Sequence, residues 1–561
     1  MLKIMRILSL PGQLRSYDRG DLRADAVAGL TTAVMLIPQA MAYAMLAGLS
    51  PIVGLYASTV PVVLYALFGS SRQLAVGPVA VLSLMTAASV GVLAEAGSPQ
   101  YLIYAMLLAL MVGAAQLLMG LFRLGIITNF LSHPVLSGFT SAAALIIGYS
   151  QLDNLVGQDF HLLTAVIGVG SLVILLTLRV LKPGFPGMFL LVLGSTVAVW
   201  ALGLDERGVK VVGDVPAGLP EFGAVSLSFE AMEMLLPAAL VIALVGFMES
   251  YAVAKKIAAR HGEEGNLDPN RELIGLGAAN MGGSFFGGYP VAGGFSRSAV
   301  ADQAGARSNL AGLFTAAVVV ATLLFFTDLF YFLPRPVLAA IIVTAIVGLI
   351  DVKTVRHLWK IKRDGLVILG LTFATTLLVG IEEGLAAGIG ASLLWFIIGT
   401  TRPHAAVLGR LPGTTSYRNI DRHPEARVIP GVLILRIDSQ FYFGNVSFLQ
   451  DTLRKLEERM EPPLRAVVID ASSINRLDSS AELALHKILE DYKQRDIGLY
   501  FAKVKGPVMD VMRASHFFED LGNEHFTHRV HQAVEAACRS CLRAEDPEAL
   551  ECDCDIAPSI H

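Results

Sequence analysis

Arg297 sits in the run Gly287-Gly288-Tyr289-Pro290-Val291-Ala292-Gly293-Gly294-Phe295-Ser296-Arg297-Ser298-Ala299, within an otherwise apolar part of the chain. An arginine at the centre of a membrane helix costs about 2.5–3.5 kcal/mol on insertion scales, so it needs a partner or a task. The run is too rich in glycine and proline, and its apolar part too short, to be an ordinary span of about 20 residues. Irregular backbone at that depth is tolerated only where it is buried in protein or lines a wet cavity. A short helix beginning near Gly293 would aim its free N–H groups, and the positive end of its dipole, at such a cavity. With Ser296, Arg297 and Ser298 about one turn inside, the segment reads as a site for an anion. The alternative is that Arg297 only pairs with an acidic neighbour and holds two helices together.

Three other polar side chains could join that site. Gln39 and Tyr43, in Ile37-Pro38-Gln39-Ala40-Met41-Ala42-Tyr43, are four apart and share one helix face, and Pro38 breaks their span near its middle. Glu249 is the only acidic residue well inside its apolar segment. A carboxylate that is desolvated yet close to a guanidinium is poised to exchange protons as the contents of a cavity change. The plainer readings are a permanent salt bridge between Glu249 and Arg297, and interhelical hydrogen bonds for Gln39 and Tyr43.

The elements that must position these residues follow from composition. Of 561 residues, 54% are hydrophobic and 16% charged, against about 25% charged in soluble domains, which predicts a polytopic α-helical membrane protein. The apolar bias ends near Thr401. Expected boundaries are a cytoplasmic segment 1–24, a membrane domain 25–402, a linker 403–427, a small α/β domain 428–537 and a cysteine-containing tail 538–561. Fourteen segments can be drawn before residue 402, the third (78–93) and tenth (293–303) being short and opened by Gly/Pro breaks. Basic residues alternate from loop to loop, from Arg72 through the cluster Lys353, Arg356, Lys360, Lys362 and Arg363 to Arg402. That parity predicts an even number of spans with both termini cytoplasmic. Pro78-Val79-Ala80 recurs as Pro290-Val291-Ala292, and Pro134-Val135-Leu136 as Pro336-Val337-Leu338. Two echoes in the same order suggest a repeat of seven spans, inverted in the membrane because seven is odd, with segments three and ten meeting at the midplane.

After residue 402, Val432–Ile437, Ala466–Asp470 and Leu499–Ala502 read as strands alternating with helices. No Gly-rich phosphate loop, catalytic constellation or nucleic-acid signature is present, so an enzyme is not expected. Cys538, Cys541, Cys552 and Cys554 have spacings that resemble a metal cluster, but free thiols in an acidic tail are the plainer expectation.

Pro51–Tyr56, Ile37–Ala44 and Gly294–Val300 resemble the signatures of the sulfate permease (SulP) family, and Asp470 with Asp478-Ser479-Ser480 resembles a STAS domain. The resemblance covers nearly the whole chain. It implies a 7+7 inverted repeat in which a core domain (spans 1–4 and 8–11) moves against a gate domain (5–7 and 12–14), in a homodimer. It implies an anion as substrate, carried across a cell inner (plasma) membrane. Its substrate positions fall on Gln39, Tyr43, Val79, Ala80, Phe295, Ser296 and Arg297, and its coupling carboxylate on Glu249. Sodium-coupled members look to have Asp and two Thr where this chain has Glu249, Val253 and Phe295. That departure favours a proton as coupling ion, with no other cofactor, and the leading expectation for the substrate is sulfate. Bicarbonate or a dicarboxylate on the same fold, or a channel or sensor acting through the STAS domain and a cytoplasmic partner, are the alternatives. Ala481 stands where related regulatory domains often have Gly, which leaves phosphorylation of Ser479 or Ser480 open.

Overall fold

The computed structural model describes residue 13 and residues 17–542, apart from 130–131, 159, 182–186, 264, 266, 362 and 462. The chain divides into two compact units, Met1–Ser392 and Leu393–His561.

The first unit is helical. Its helices are α1 (Arg19–Leu46), α2 (Pro51–Tyr56), α3 (Val60–Phe68), α4 (Ala80–Val90), α5 (Pro99–Leu121), α6 (His133–Ser150), α7 (Leu152–Val156), α8 (Leu162–Leu181) and α9 (Gly187–Leu202). They continue as α10 (Phe229–His261), α11 (Pro269–Ser284), α12 (Phe295–Gln303), α13 (Leu310–Phe325), α14 (Arg335–Ile346), α15 (Val352–Ile361), α16 (Asp364–Leu378) and α17 (Ile381–Thr401), in which the division between the units falls. Helix occupies every segment drawn from the sequence, and eight helical stretches among the described residues are long and apolar enough to cross a membrane. Local chemistry sets the starts. Asp18 and Asp21 form a reciprocal capping box at α1, Ser98 caps α5, Ser228 caps α10 and Asp268 caps α11. Pro134 and Pro336 occupy the first turns of α6 and α14, where a missing N–H costs nothing. That pair is therefore a true structural echo. The other is not. The strands β1 (Val76–Gly77) and β2 (Ala292–Gly293) pair with each other, so Pro78-Val79-Ala80 follows its strand while Pro290-Val291-Ala292 leads into its own. The repeat is real, but that tripeptide match is out of register by about one helical turn.

Small residues set the helix spacing. A Cβ on Gly113 of α5 would lie 2.3 Å from the Met281 nitrogen of α11, and one on Gly277 would lie 2.6 Å from the Leu117 nitrogen. In lipid, where association depends on packing rather than water release, such glycines bring backbones together.

The second unit holds a six-stranded sheet ordered β4-β3-β5-β6-β7-β8. Its strands are β3 (Ala405–Arg410), β4 (Tyr417–Asn419), β5 (Val432–Ile437), β6 (Ala466–Asp470), β7 (Gly498–Ala502) and β8 (Phe526–Thr527). β5 to β8 are parallel neighbours, and the near-continuous apolar runs of β5, β6 and β7 suit burial on both faces. Helices α18 (Val446–Glu457), α19 (Ser479–Gln494), α20 (Gly506–Ala514), α21 (Phe517–Leu521) and α22 (Val530–Leu542) complete the unit. Asp478 caps α19 by accepting from Ala481 N at 2.8 Å. The expected linker 403–427 is corrected here. β3 and β4 lie in it and pair antiparallel, with Leu408 opposite Asn419. β3 also pairs with β5, so β4 (Tyr417-Arg418-Asn419), short and polar, forms one edge of the sheet. His531 of α22 meets the Tyr417 hydroxyl of β4 at 3.0 Å. Partial burial holds its imidazole below the usual histidine range, against the pull of Glu535.

Two outcomes follow. Gly113→Ala is expected to lower the thermal stability of the purified chain, by about 1–3 kcal/mol for an overpacked contact, whereas Gly370→Ala, mid-helix with nothing within 4 Å of its Cβ, is expected not to lower it and to raise it by up to about 1 kcal/mol. For His531, the unfolded chain takes the proton first, so stability is present above about pH 6.5 and is lost as pH falls through the lower folded value. Amide exchange over β4 and α22, corrected for its intrinsic rate, is expected to quicken as pH drops from 7 to about 5.5, and His531→Phe to flatten that dependence.

Candidate functional site

The site is built where the two halves of the helical unit cross. Val76 pairs with Gly293 and Gly77 with Ala292, antiparallel, and Gly294 N donates to Ala75 O at 3.1 Å. α4 and α12 start within three residues of this crossing and leave it in opposite senses. Their N-cap residues, Val79 and Gly294, are extended, and neither start has a side-chain cap. The first turn of each helix therefore turns N–H groups without intrahelical partners back toward the crossing. Two positive dipole ends converge there.

Arg297 is 1% exposed. Its Nη1 donates to Pro78 O at 2.7 Å, while Nε and Nη2 are buried with no partner. A Cβ on Gly294 would lie 2.8 Å from the Arg297 Cζ, and one on Gly77 3.4 Å from Nη2. The guanidinium thus folds back over the start of its own helix, between two glycines that leave room for it. Tyr43, Glu249 and Tyr289 are near enough to interact with its charge. Glu249 Oε2 is buried without a partner, and no ion pair within 4.0 Å joins it to Arg297. The permanent salt bridge is not what holds these helices together.

The other sequence-selected residues divide. Gln39 is fully buried, its Nε2 lies 3.6 Å from Met188 Sδ, and its Oε1 has no partner. Tyr43, one turn along the same face of α1, is also buried. Val79 and Ala80 are buried at the start of α4 and contribute backbone. Phe295 is 45% exposed and Ser296 is exposed beside it. Ser298 is corrected: it is fully buried and its hydroxyl accepts from Ala75 N at 2.9 Å, so it fastens α12 to β1. Asp302, near the end of α12, meets His261 Nε2 at 2.6 Å and Arg260 Nη1 at 3.5 Å. Among the described residues no group of three metal-ligating side chains forms. Cys538 is buried in the second unit's packing. Cys552, Cys554 and the side chain of Cys541 lie outside the described residues.

Sequence reasoning missed three positioning residues. Asn280 of α11 accepts from Val291 N at 2.7 Å and donates to Val291 O at 3.1 Å and to Gln116 Oε1 at 3.0 Å. Gln116 of α5 donates in turn to Ala243 O at 3.1 Å. Ser250 of α10 accepts from Gly293 N at 2.8 Å and donates to Gly246 O at 2.6 Å. Together they satisfy the irregular backbone before α12, as burial in an apolar medium demands. The signal for Asn280 and Gln116 was an amide well inside its helix, far from Asn270 and Gln100 in the first turns.

Residues 22–372 match the sulfate permease family, and residues 423–537 match the STAS domain. The chain is 39% identical to sulfate transporter 4.1, chloroplastic, of Arabidopsis thaliana, over 96% of this chain and 83% of that one. It is 34% identical to the probable sulfate transporter MT1781 of Mycobacterium tuberculosis, over 93% and 97%. Its fold resembles that of the murine solute carrier 26 family member A9 anion transporter in the inward-facing state, with TM-score 0.88 at 23% identity, over 96% of this chain and 95% of that one. With a glycine-broken crossing in its membrane unit and a parallel-sheet unit after it, the chain belongs to the sulfate permease family.

Proposed function

We propose that this protein is a secondary active anion transporter that takes up sulfate together with a proton. The observation that carries the reading is the buried Arg297, which offers two unused donors where two uncapped helix starts converge. A desolvated guanidinium suits an oxyanion, which it can meet with two parallel hydrogen bonds. Relatives named as sulfate transporters support sulfate as that anion. Gln39, Tyr43 and the backbone at Val79, Ala80, Phe295 and Ser296 complete the proposed binding surface.

Glu249 supplies the coupling. Its charge repels a dianion held nearby and attracts Arg297. Protonation removes both effects, so the proton and the anion bind together. Transport then needs α1–α5 and α10–α13 to move as a core against α6–α9, α14, α16 and α17 as a gate. Side-chain hydrogen bonds now join the two sets at Gln39–Met188 and at Ser89–Glu382, which is 2.8 Å long. The protein works in the inner (plasma) membrane with both termini cytoplasmic, as the alternation of basic loops implies, and as a homodimer whose C-terminal unit is open to a cytoplasmic partner.

Labelled sulfate uptake into proteoliposomes tests this. Arg297→Ala is expected to cut uptake about 100-fold, the loss of about 3 kcal/mol for a charged hydrogen-bond donor, with folded protein still recovered. Glu249→Gln is expected to abolish stimulation by an inward proton gradient while sparing sulfate exchange. Normal uptake in the first variant, or an unchanged proton response in the second, removes the assigned role. Competition by bicarbonate that exceeds competition by sulfate reassigns the substrate.

A further inference from the structure

α15 packs unlike its neighbours: not one of its residues is buried. Its start is nevertheless fixed. Asp351 accepts from Thr354 N at 3.0 Å and from Thr354 Oγ1 at 2.6 Å, which caps the helix. Asp351 N donates to Ser141 Oγ of α6 at 3.3 Å, and Ser137 Oγ approaches the same carboxylate at 3.5 Å. Leu358 bends inward, because a Cβ on Gly365 at the start of α16 would lie 2.9 Å from Leu358 Cδ2 and 3.3 Å from Pro134 Cγ. α15 is thus pinned at the level where α6 and α16 begin, at one end of the helical unit.

The two faces of α15 differ sharply. Val352, Val355 and Trp359 repeat at the spacing i, i+3, i+7 and are 50%, 38% and 68% exposed. Lys353, Arg356 and Lys360 repeat at the same spacing one residue further on, which turns their stripe about 100° round the helix from the apolar one, and His357 extends its far side. All four are exposed, and none forms an ion pair among the described residues. Arg363 lies 5.8 Å from the Trp359 ring centre. An apolar stripe with a tryptophan, a basic face without acidic partners, and attachment to the ends of membrane helices match a helix lying flat in the headgroup layer.

We propose that α15 is a docking surface for anionic phospholipids. Lys353, Arg356 and Lys360 recognise headgroup phosphates, while Val352, Val355 and Trp359 enter the acyl boundary. The occupant is a lipid leaflet rather than a protein, because unpaired cations and exposed apolar side chains alternate on a helix tethered at the end of a membrane bundle. Recognition here is independent of the transport reading.

The chain contains three tryptophans, Trp200, Trp359 and Trp395. Full-length protein carrying Trp200→Phe and Trp395→Phe, reconstituted in phosphatidylcholine vesicles, reports on Trp359 alone. A small, equal mole fraction of brominated phosphatidylglycerol or brominated phosphatidylcholine serves as quencher. The anionic quencher is expected to be at least about twofold more effective, through the attraction of basic residues to anionic lipid. The difference is expected to vanish at about 1 M salt, where the screening length falls to about 3 Å. Lys353→Gln, Arg356→Gln and Lys360→Gln together are expected to equalise the two quenchers. Equal quenching in the parent, a preference that survives both salt and the triple substitution, or no quenching by either lipid overturns the proposal. The last outcome would place a protein surface on α15 instead.

Discussion

The membrane unit depends on one unsatisfied group, the Arg297 guanidinium. It is buried, it spends one N–H on Pro78 O, and it leaves Nε and Nη2 without acceptors. Each buried donor left unpaired costs about 1–3 kcal/mol, more when charged. Folding tolerates that cost because the guanidinium cannot retreat. Gly294 and Gly77 give it the space it occupies. An anion at the crossing, as proposed above, would meet those donors and the two helix starts together.

That arrangement requires irregular backbone inside the membrane unit, and the polar network of Asn280, Gln116 and Ser250 makes it possible. These side chains take the place of the main-chain partners that a continuous helix would have supplied. Asp25 does related work at the other end of α12. Its carboxylate accepts from Arg307 N at 2.6 Å, from the Ser308 hydroxyl and from the Tyr17 hydroxyl at 2.7 Å, tying α1 to the turn after α12. Glu272 does the same between α11 and the end of α3, accepting from Tyr65, Ser70 and Ser71. Both carboxylates are fully hydrogen-bonded, unlike Glu249. Among these three buried or half-buried acids, the one left with an unpartnered oxygen lies near the arginine whose Nε and Nη2 are also unpartnered.

Much of this was legible in the sequence for a physical reason. Glycine, proline and a charge cannot persist in an apolar segment without cause, so Arg297, Glu249 and the two broken helices stood out. The parallel strands β5 to β7 stood out because burial on both faces leaves uninterrupted apolar runs. Other features did not. β4 is a short polar edge strand and β3 a run of small residues ending in Gly409-Arg410, and neither has the long apolar pattern that marks β5 to β7. Asn280 and Gln116 are amides whose partners are main-chain atoms or each other across helices, which no local spacing reveals. Ser298 and Ser296 looked equivalent beside Arg297, yet the helix turns one toward β1 and leaves the other exposed. The tripeptide shared by residues 78–80 and 290–292 marked the right neighbourhood in the wrong register, because composition near a helix start is repetitive.

Selenate tests the central claim most directly, since it has the charge and shape of sulfate and its selenium scatters anomalously. The decisive measurement is the position of that selenium in crystals of the full chain grown with selenate. The expected result is a peak between the starts of α4 and α12, within hydrogen-bond reach of Arg297 Nη2 and of the first-turn amides of both helices. Selenium found only elsewhere, with Nη2 still unpaired and Nη1 on Pro78 O, would contradict the account.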